Sequence, residues 1–556
     1  MRFRTTLRRR RTALAAAAIL AAASLAACSG SGTAKNDSGS PILTVANGQT
    51  GQFTRNFNPI PQTANTPTYG MIYEPLLFFN QGKAGDIQPW LATSYKLSAD
   101  GRTATFQLDP RAKWSDGQPL TAEDVAYTYQ LAKDDPKLNT GGLEYEAIKV
   151  LGAHEVSITT KAPLYTELWS LAGRTYIIPK HIWEKVKDPS TYQNPNPVGS
   201  GAFMLKSFSS QTYTVVKNPR YWQPGKPQIG GLRFVMYGNN TATLTALNAK
   251  KLDWAGLFVP QIEKVYASKD PHNKYINTPL FVTELTANTK AFPTDQAPVR
   301  KAISLAVDRA QLNKLAFSGY SPPAGPSFLS RRDQGKYLDP EVGAVSLKAD
   351  AAGAAQVLAD AGWKKGSDGI LRDGQGRKLT ITAKVVTGWS DFINALQVIQ
   401  QELKPIGIDF QPQEVSYASL TADRNNGKFQ MLIDNAYGGP QPYQMFKYLF
   451  SKKLYRPVGE NAPGNYARFT DPAIDTALET IESTNDEAKL KPAYAAIQKV
   501  SAAQLPYIPL VYASSLTEYR DTRVTGFPTA DNLYAIPEIW QAPDSGYVAM
   551  RLKPVK

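Results

Sequence analysis

Cysteine occurs once in the 556 residues, as Cys28, and histidine three times, as His154, His181 and His272. A lone thiol leaves no disulfide to form, and three dispersed imidazoles do not make the Cys/His clusters that structural metal sites require. There is no Walker A loop, no HExxH and no CxxC, and Gly199-Ser200-Gly201 is too short for a phosphate loop. The sequence therefore carries no enzyme motif and calls for no cofactor and no metal. Long apolar runs are scarce as well: Ala13 to Ala27 is too short and too weakly apolar for a membrane span. A concentrated basic surface is also missing. The formal charge is +15, but six arginines precede residue 28, and removing them leaves +9 spread over the remainder, with no stripe suited to nucleic acid.

What is present is ordinary globular composition, 42% hydrophobic and 20% charged, in a chain several times the usual domain length. Such a chain can bury a large core and divides into two or more lobes. Residues 1–27 have an arginine-rich start, an alanine-rich run and a small-residue end, the parts of an export signal. Leu25-Ala26-Ala27-Cys28 resembles a bacterial lipobox, whose cysteine takes a diacylglyceryl group and becomes the mature N-terminus; a stray cysteine is the alternative. The arginines leave general and twin-arginine export both open. Residues 28–40, rich in Ser and Gly, read as a flexible tether.

From Pro41 onward strand-like and helix-like segments mix throughout, which implies an α/β fold. ILTVA, TATFQL (Thr103 to Leu108), EVSITT (Glu155 to Thr160), TYTVV, LRFVMY and LTITAKVV alternate or cluster β-branched residues. Helix patterns include VRKAISLAVDRAQLNKLAF, ADAAGAAQVLADAG with Asp350 as cap and Gly362 past its end, and TDPAIDTALETI with Pro at the first helical position. In KWSDGQPLTAEDVAYTYQLAKD, Ser115-Asp116-Gly117 forms a tight turn, and Thr121 with Asp124 starts a helix as a capping-box-like pair.

That last stretch resembles the family 5 extracellular solute-binding proteins of ABC importers, which capture oligopeptides, nickel complexes or oligosaccharides. YEPLLFFN, IQPWLATSYKLSADGRTATFQL, PVGSGAFML, KNPRYW, PVRKAISLAVDR and LADAGW follow in the family's order, so the resemblance covers nearly the whole mature chain. It implies a two-lobe periplasmic-binding-protein fold that closes on its ligand by a hinge motion. Lobe I would comprise residues 41–283 and 512–556, with an extra subdomain at about 73–194, and lobe II residues 284–511. The protein would be a monomer, not an enzyme, held to the outer face of the cell membrane through Cys28 and delivering its solute to a permease. His181, in the helix-start pattern IPKHIW, would be structural. An enzyme or signalling receptor on the same two lobes is the distant alternative.

The ligand is read from GKFQMLIDNAYGGPQPYQMF, Gly427 to Phe446. Where oligopeptide binders of the family place an aspartate for the peptide's ammonium, this chain has Gly439, with Asp434 upstream as a possible substitute. The segment looks like the GGPTP-type variant of members that bind cello-oligosaccharides, so an oligosaccharide is expected and an oligopeptide is the alternative. A nickel carrier would instead advertise histidines or an arginine-rich pocket. Sugar rings need flat apolar faces and planar polar side chains. On the resemblance, the ligand contacts would be Phe53, Trp254, Asn288, Trp389, Asp391, Tyr417, Arg424, Tyr437, Gln441, Tyr443 and Tyr512. Asp391 could equally cap a helix, each aromatic could equally be core, and Arg424 could pair a peptide carboxylate.

Overall fold

A computed structural model describes residues 39–555 except 49–50, 62, 84, 330–333 and 437. The expected signal, Cys28 and Tyr437 lie outside the described residues. The β-branched segments are strands: Ile42–Ala46, Thr103–Leu108, Glu155–Thr160, Thr212–Lys217, Gly231–Val235 and Thr380–Val386. In Thr103–Leu108 the residues Ala104, Phe106 and Leu108 are fully buried, so the period of two aims one face at the core. The longest helix pattern divides into Ala297–Ala306 and Arg309–Ala316, because Asp308 between them accepts hydrogen bonds from the Ala310 and Gln311 amides and starts a second helix. Asp350 caps Ala351–Asp360, and Asp471 with Pro472 starts Pro472–Ser483.

Ten strands form one sheet in the order Asp409–Val415, Thr380–Val386, Met431–Ala436, Asn273–Ala287, Tyr507–Arg520, Trp254–Ala255, Ile42–Ala46, Gly231–Val235, Thr212–Lys217 and Phe203–Phe208. The two long central strands, Asn273–Ala287 and Tyr507–Arg520, run antiparallel to each other. Their register slips between Pro279 and Phe281 and again between Thr283 and Glu284. From the first slip onward, Val282–Ala287 pairs with Met431–Ala436; before it, Tyr507–Arg520 pairs through Glu518 and Tyr519 with Trp254–Ala255. The sheet is thus two half-sheets joined only through this pair, the two-lobe α/β architecture with two crossing segments.

Each half has its own core. One gathers residues from 43 to 254 together with 524–552, and it includes a separate four-stranded antiparallel sheet of Ala92–Leu97, Thr103–Leu108, Glu155–Thr160 and Tyr145–Gly152. The other half holds two clusters, one around Leu285, Ile399 and Leu510 and one around Phe446, Ile481 and Ile497. Glu74 stitches the first core: one carboxylate oxygen accepts from Trp90 Nε1 at 2.8 Å and Tyr221 Oη at 2.7 Å, the other from Trp222 Nε1 at 3.0 Å. Even so, burial pushes its carboxyl up to about 7. His181 Nε2 lies 2.8 Å from Asp116 Oδ2, joining a helix start to the Ser115-Asp116-Gly117 turn. Among the described residues, no helix is long and apolar enough to cross a membrane.

Several buried carboxyls share Glu74's preference for the neutral form. Glu538 is fully buried, and burial, only partly offset by hydrogen bonding from Ser515, raises it from an ordinary 4.5 to about 8. Between those values the folded state keeps a proton that the unfolded chain has released, so stability falls as pH rises through the window. Glu538→Gln is neutral at every pH. Its melting temperature should match the parent's near pH 4.5 and exceed it at pH 8.5 in paired thermal melts; equal slopes with pH would contradict this account.

Candidate functional site

At the register slip the long strands turn Leu280, Phe281, Val282 and Tyr512 into the floor of a cavity of about 850 Å³. That volume suits a small-molecule site. The turn Gly438 to Gln441 lines it, together with Gln81, Tyr165 and Thr166 from the first core's side. Parts of residues 322–347 and the start of the helix Glu487–Gln504 complete the enclosure. Tyr512 Oη donates to the Leu329 carbonyl at 2.8 Å, and the Tyr337 and Tyr494 rings lie 4.4 Å apart, centre to centre. Of the described lining residues only Lys336 and Glu487 are charged, and they meet at 2.6 Å.

The wall turn is held by the helix that follows it. Gln441 is the N-cap of Pro442–Phe450, its amide donating to Gln444 Oε1 at 3.1 Å, and Pro442 occupies the first helical position. Phe446, Leu449 and Phe450 face the core of their own half. Tyr443, Gln444 and Lys447 reach the other way, to the four-stranded-sheet side. Tyr443 Oη sits 2.7 Å from Glu167 Oε1 and 2.7 Å from Glu482 Oε1. Lys447 Nζ sits 2.5 Å from Glu167 Oε1 and 3.1 Å from the Gly141 carbonyl, and Gln444 Nε2 donates to the Thr166 carbonyl at 2.6 Å. Burial pushes the Glu167 carboxyl up, but the Lys447 ammonium together with hydrogen bonds from Ser170 and Tyr443 holds the group below its ordinary value. Gly439 passes so near Trp169 that a Cβ there would lie 2.9 Å from the indole.

Of the residues expected to face a ligand, Gln441 and Tyr512 line the cavity. Several others have different work. Tyr443 is buried between two carboxylates, as just described. Phe53 is buried edge-on to Tyr213, with ring centres 4.6 Å apart, and Trp254 is fully buried, donating from Nε1 to the Pro537 carbonyl at 2.9 Å. Asn288 is buried and donates to the Gly427 and Phe429 carbonyls, each at 2.9 Å. Arg424 lies over the Tyr466 ring and pairs with Asp434 at 2.7 Å. Trp389 is the N-cap of Ser390–Leu403 and leans on the exposed Tyr417 ring, 5.8 Å between centres. Asp391 is in that helix's first turn, not at its cap, and burial raises its carboxyl to about 6. Tyr165, Phe281, Tyr337 and Tyr494 were not among the expected residues. The Pro/Gly-rich SPPAGPS, residues 321–327, could have marked a further lining segment as a structured loop.

Asn288→Ala tests the structural placement of that residue. Two buried carbonyls would lose their donor, so stability should fall by about 1–3 kcal/mol. A urea titration checks it: the midpoint should drop with the slope unchanged.

Comparison with known proteins agrees with this architecture. The family model described as bacterial extracellular solute-binding proteins, family 5 middle, matches residues 86–455. The nickel-binding periplasmic protein of Escherichia coli K12 is 24% identical over 520 residues, covering 90% of this chain and 93% of its own. The periplasmic oligopeptide-binding protein of an oligopeptide ABC transporter from Thermotoga maritima, solved with mannohexaose bound, superposes with a TM-score of 0.84 at 25% identity, covering 92% of this chain and 98% of that one. An oligopeptide-binding protein of Bacillus subtilis, solved with a nonapeptide, superposes with a TM-score of 0.79 at 22% identity, covering 93% and 99%. All three are named as binding proteins, one of them of an ABC transporter, which supports a non-enzymatic role. With a family match over most of its length and the two-lobe fold in agreement, the chain belongs to the family 5 bacterial extracellular solute-binding proteins.

Proposed function

We propose that this chain is the lipid-anchored receptor of an ABC importer and that it encloses an uncharged oligosaccharide between lobes of residues 41–283 with 512–556 and 284–511. The observation that carries the ligand class is charge. The two charged groups on the described cavity lining, Lys336 and Glu487, neutralise each other at 2.6 Å. A peptide's ammonium needs a free carboxylate in a closed cleft, since an unpaired buried charge is costly. Asp434, the nearest acid upstream of the wall turn, is already engaged by Arg424 at 2.7 Å. That pairing equally occupies the cation that a peptide carboxylate would seek.

What remains on the lining suits sugars: the rings of Tyr165, Phe281, Tyr337, Tyr494 and Tyr512 beside the amides of Gln81, Gln334, Gln441 and Asn485. Gln441 and Tyr512 contact the ligand directly, and Trp389 with Tyr417 offers a further aromatic surface. The mannohexaose complex of the Thermotoga maritima protein supports this reading. Other relatives are oligopeptide-binding proteins and favour an oligopeptide instead. Nickel has a named relative, yet among the described residues no group of three or more His, Cys, Asp or Glu could hold a metal ion.

Thermal melts with cello-oligosaccharides, manno-oligosaccharides and a mixed tripeptide pool discriminate these. Ligand at a hundred times Kd adds about 2.7 kcal/mol to stability, so the melting temperature should rise with at least one sugar series and stay put with peptides. A shift with peptides alone overturns the oligosaccharide reading. For the anchor, Cys28→Ser should move the protein from the membrane fraction to the soluble fraction, and an unchanged distribution would refute lipidation at that residue.

A further inference from the structure

Lys336 and Glu487 stand at the solvent-exposed part of the cavity lining, one in the short turn Gly335–Tyr337 and the other in the first turn of the helix Glu487–Gln504. These two elements are fastened to each other by contacts other than the ion pair. Gln498 is fully buried; its Nε2 donates to the Tyr337 carbonyl at 2.8 Å, and its Oε1 accepts from the Asp339 amide at 3.0 Å. The Tyr337 ring rests on Tyr494, one helical turn before Gln498. Lys336 Nζ lies 4.7 Å from the centre of the Tyr337 ring, and Tyr337 Oη donates at 3.2 Å to Glu487 Oε1, the oxygen that Lys336 also meets. A buried framework thus brings the ammonium and the carboxylate together, and each keeps the other charged. Glu487 holds the Lys336 ammonium above its ordinary value, and Lys336 holds the Glu487 carboxyl below its own. Tyr337 and Tyr494 both pack on the core around Phe446, so the pair belongs to one half and does not depend on how the lobes are placed.

We propose that Lys336 and Glu487 are specificity-determining residues: their ion pair selects against charged solutes, and removing either one admits a solute that carries the lost charge. The inference deepens the uncharged-ligand reading above and rests on this cavity being the solute site. A cationic solute that approaches Glu487 meets the Lys336 ammonium, and an anionic one that approaches Lys336 meets the Glu487 carboxylate. Either must bear the repulsion of one member or break the 2.6 Å contact between them. An uncharged hydroxyl does neither, because the ammonium has further N–H donors and the carboxylate further lone pairs to offer it. With Lys336 gone, the Glu487 carboxylate is offset only in part by Lys491, one turn along the helix. With Glu487 gone, the Lys336 ammonium stands beside a helix N-terminus, which itself favours anions. The two side chains are 60% and 50% exposed, so solvent screens the effect and holds it to about three- to fivefold in affinity.

Titration calorimetry with matched β-linked oligosaccharides tests the pair. Cello-oligosaccharides are the neutral series; glucosamine oligomers exchange a hydroxyl for an ammonium, and glucuronic acid oligomers carry a carboxylate. The readout is the ratio of charged to neutral affinity in each variant against the parent's. Lys336→Met should raise the glucosamine ratio about three- to fivefold, and Glu487→Gln the glucuronate ratio by a similar factor, both gains shrinking as salt is added. Combining the two substitutions should return both ratios to the parent's, which a change in cavity shape would not do. Lys499, farther along the same helix, pairs with Glu341 at 2.8 Å, and neither is on the described lining, so Lys499→Met should keep the parent's ratios. Because Gln498 and the tyrosine rings hold the framework, the solute-free variants should melt with the parent; if Lys336→Met fails to fold, Glu487→Gln carries the test. Unchanged ratios in the single variants overturn the proposal, as does an equal gain with Lys499→Met. Should the parent bind tripeptides and no sugar, the oligosaccharide reading fails alone, and the same ratios are read on tripeptides with Ala, Lys or Glu at the centre.

Discussion

Everything in this molecule hangs on one ladder, the antiparallel pairing of Asn273–Ala287 with Tyr507–Arg520. These strands contribute to both half-sheets, and their register slips where the one half-sheet gives way to the other. A slip in a ladder leaves backbone groups unpaired and redirects the strand locally. Here the slip places Phe281, Val282 and Tyr512 under the cavity, so the deformation that allows the lobes to face each other also provides the floor of the site. Two linked strands restrict the relative motion of the lobes more than a single linker would, which favours rotation about the slip over free reorientation.

Much of the scaffold was legible from the sequence because its signals are local. Alternation of β-branched residues marked Thr103–Leu108 and Thr380–Val386, and Asp-Pro at 471–472 marked a helix start. Asp308 was legible as a polar residue in an amphipathic run, but its effect, ending one helix and capping the next, depends on the amides it reaches. The candidate site was far less legible. Phe53 and Trp254 have the chemistry of stacking residues, yet distant partners, Tyr213 for one and the Pro537 carbonyl for the other, hold both in the core. The cavity is assembled from segments near 81, 165, 280, 325–329, 334–347, 440, 490 and 512, and no spacing rule connects positions so remote. Charge neutralisation was hidden for the same reason: Lys336 and Glu487 are 151 residues apart in sequence and 2.6 Å apart in space.

The turn Gly438 to Gln441 shows how one short segment serves two ends. Its backbone forms a cavity wall, and the helix that it launches carries the residues that bridge to Glu167 and Thr166. The small residue at 439 is what lets the turn approach Trp169. Neutrality at this wall and charge just behind it are complementary. An uncharged ligand leaves the buried ion pair behind the wall undisturbed, whereas a charged one would compete with it in the same low-dielectric space.

The first core is built from the two ends of the chain: Val524, Phe527, Ile539 and Tyr547 pack with residues between 43 and 254. Phe78 and Tyr547 stack with ring centres 3.8 Å apart, a contact spanning almost the whole chain. Loop closure over such a distance comes late, so during synthesis the early segments must wait for the last thirty or so residues before their core can close. The half that comes first in sequence is therefore the half whose folding is completed from the far end.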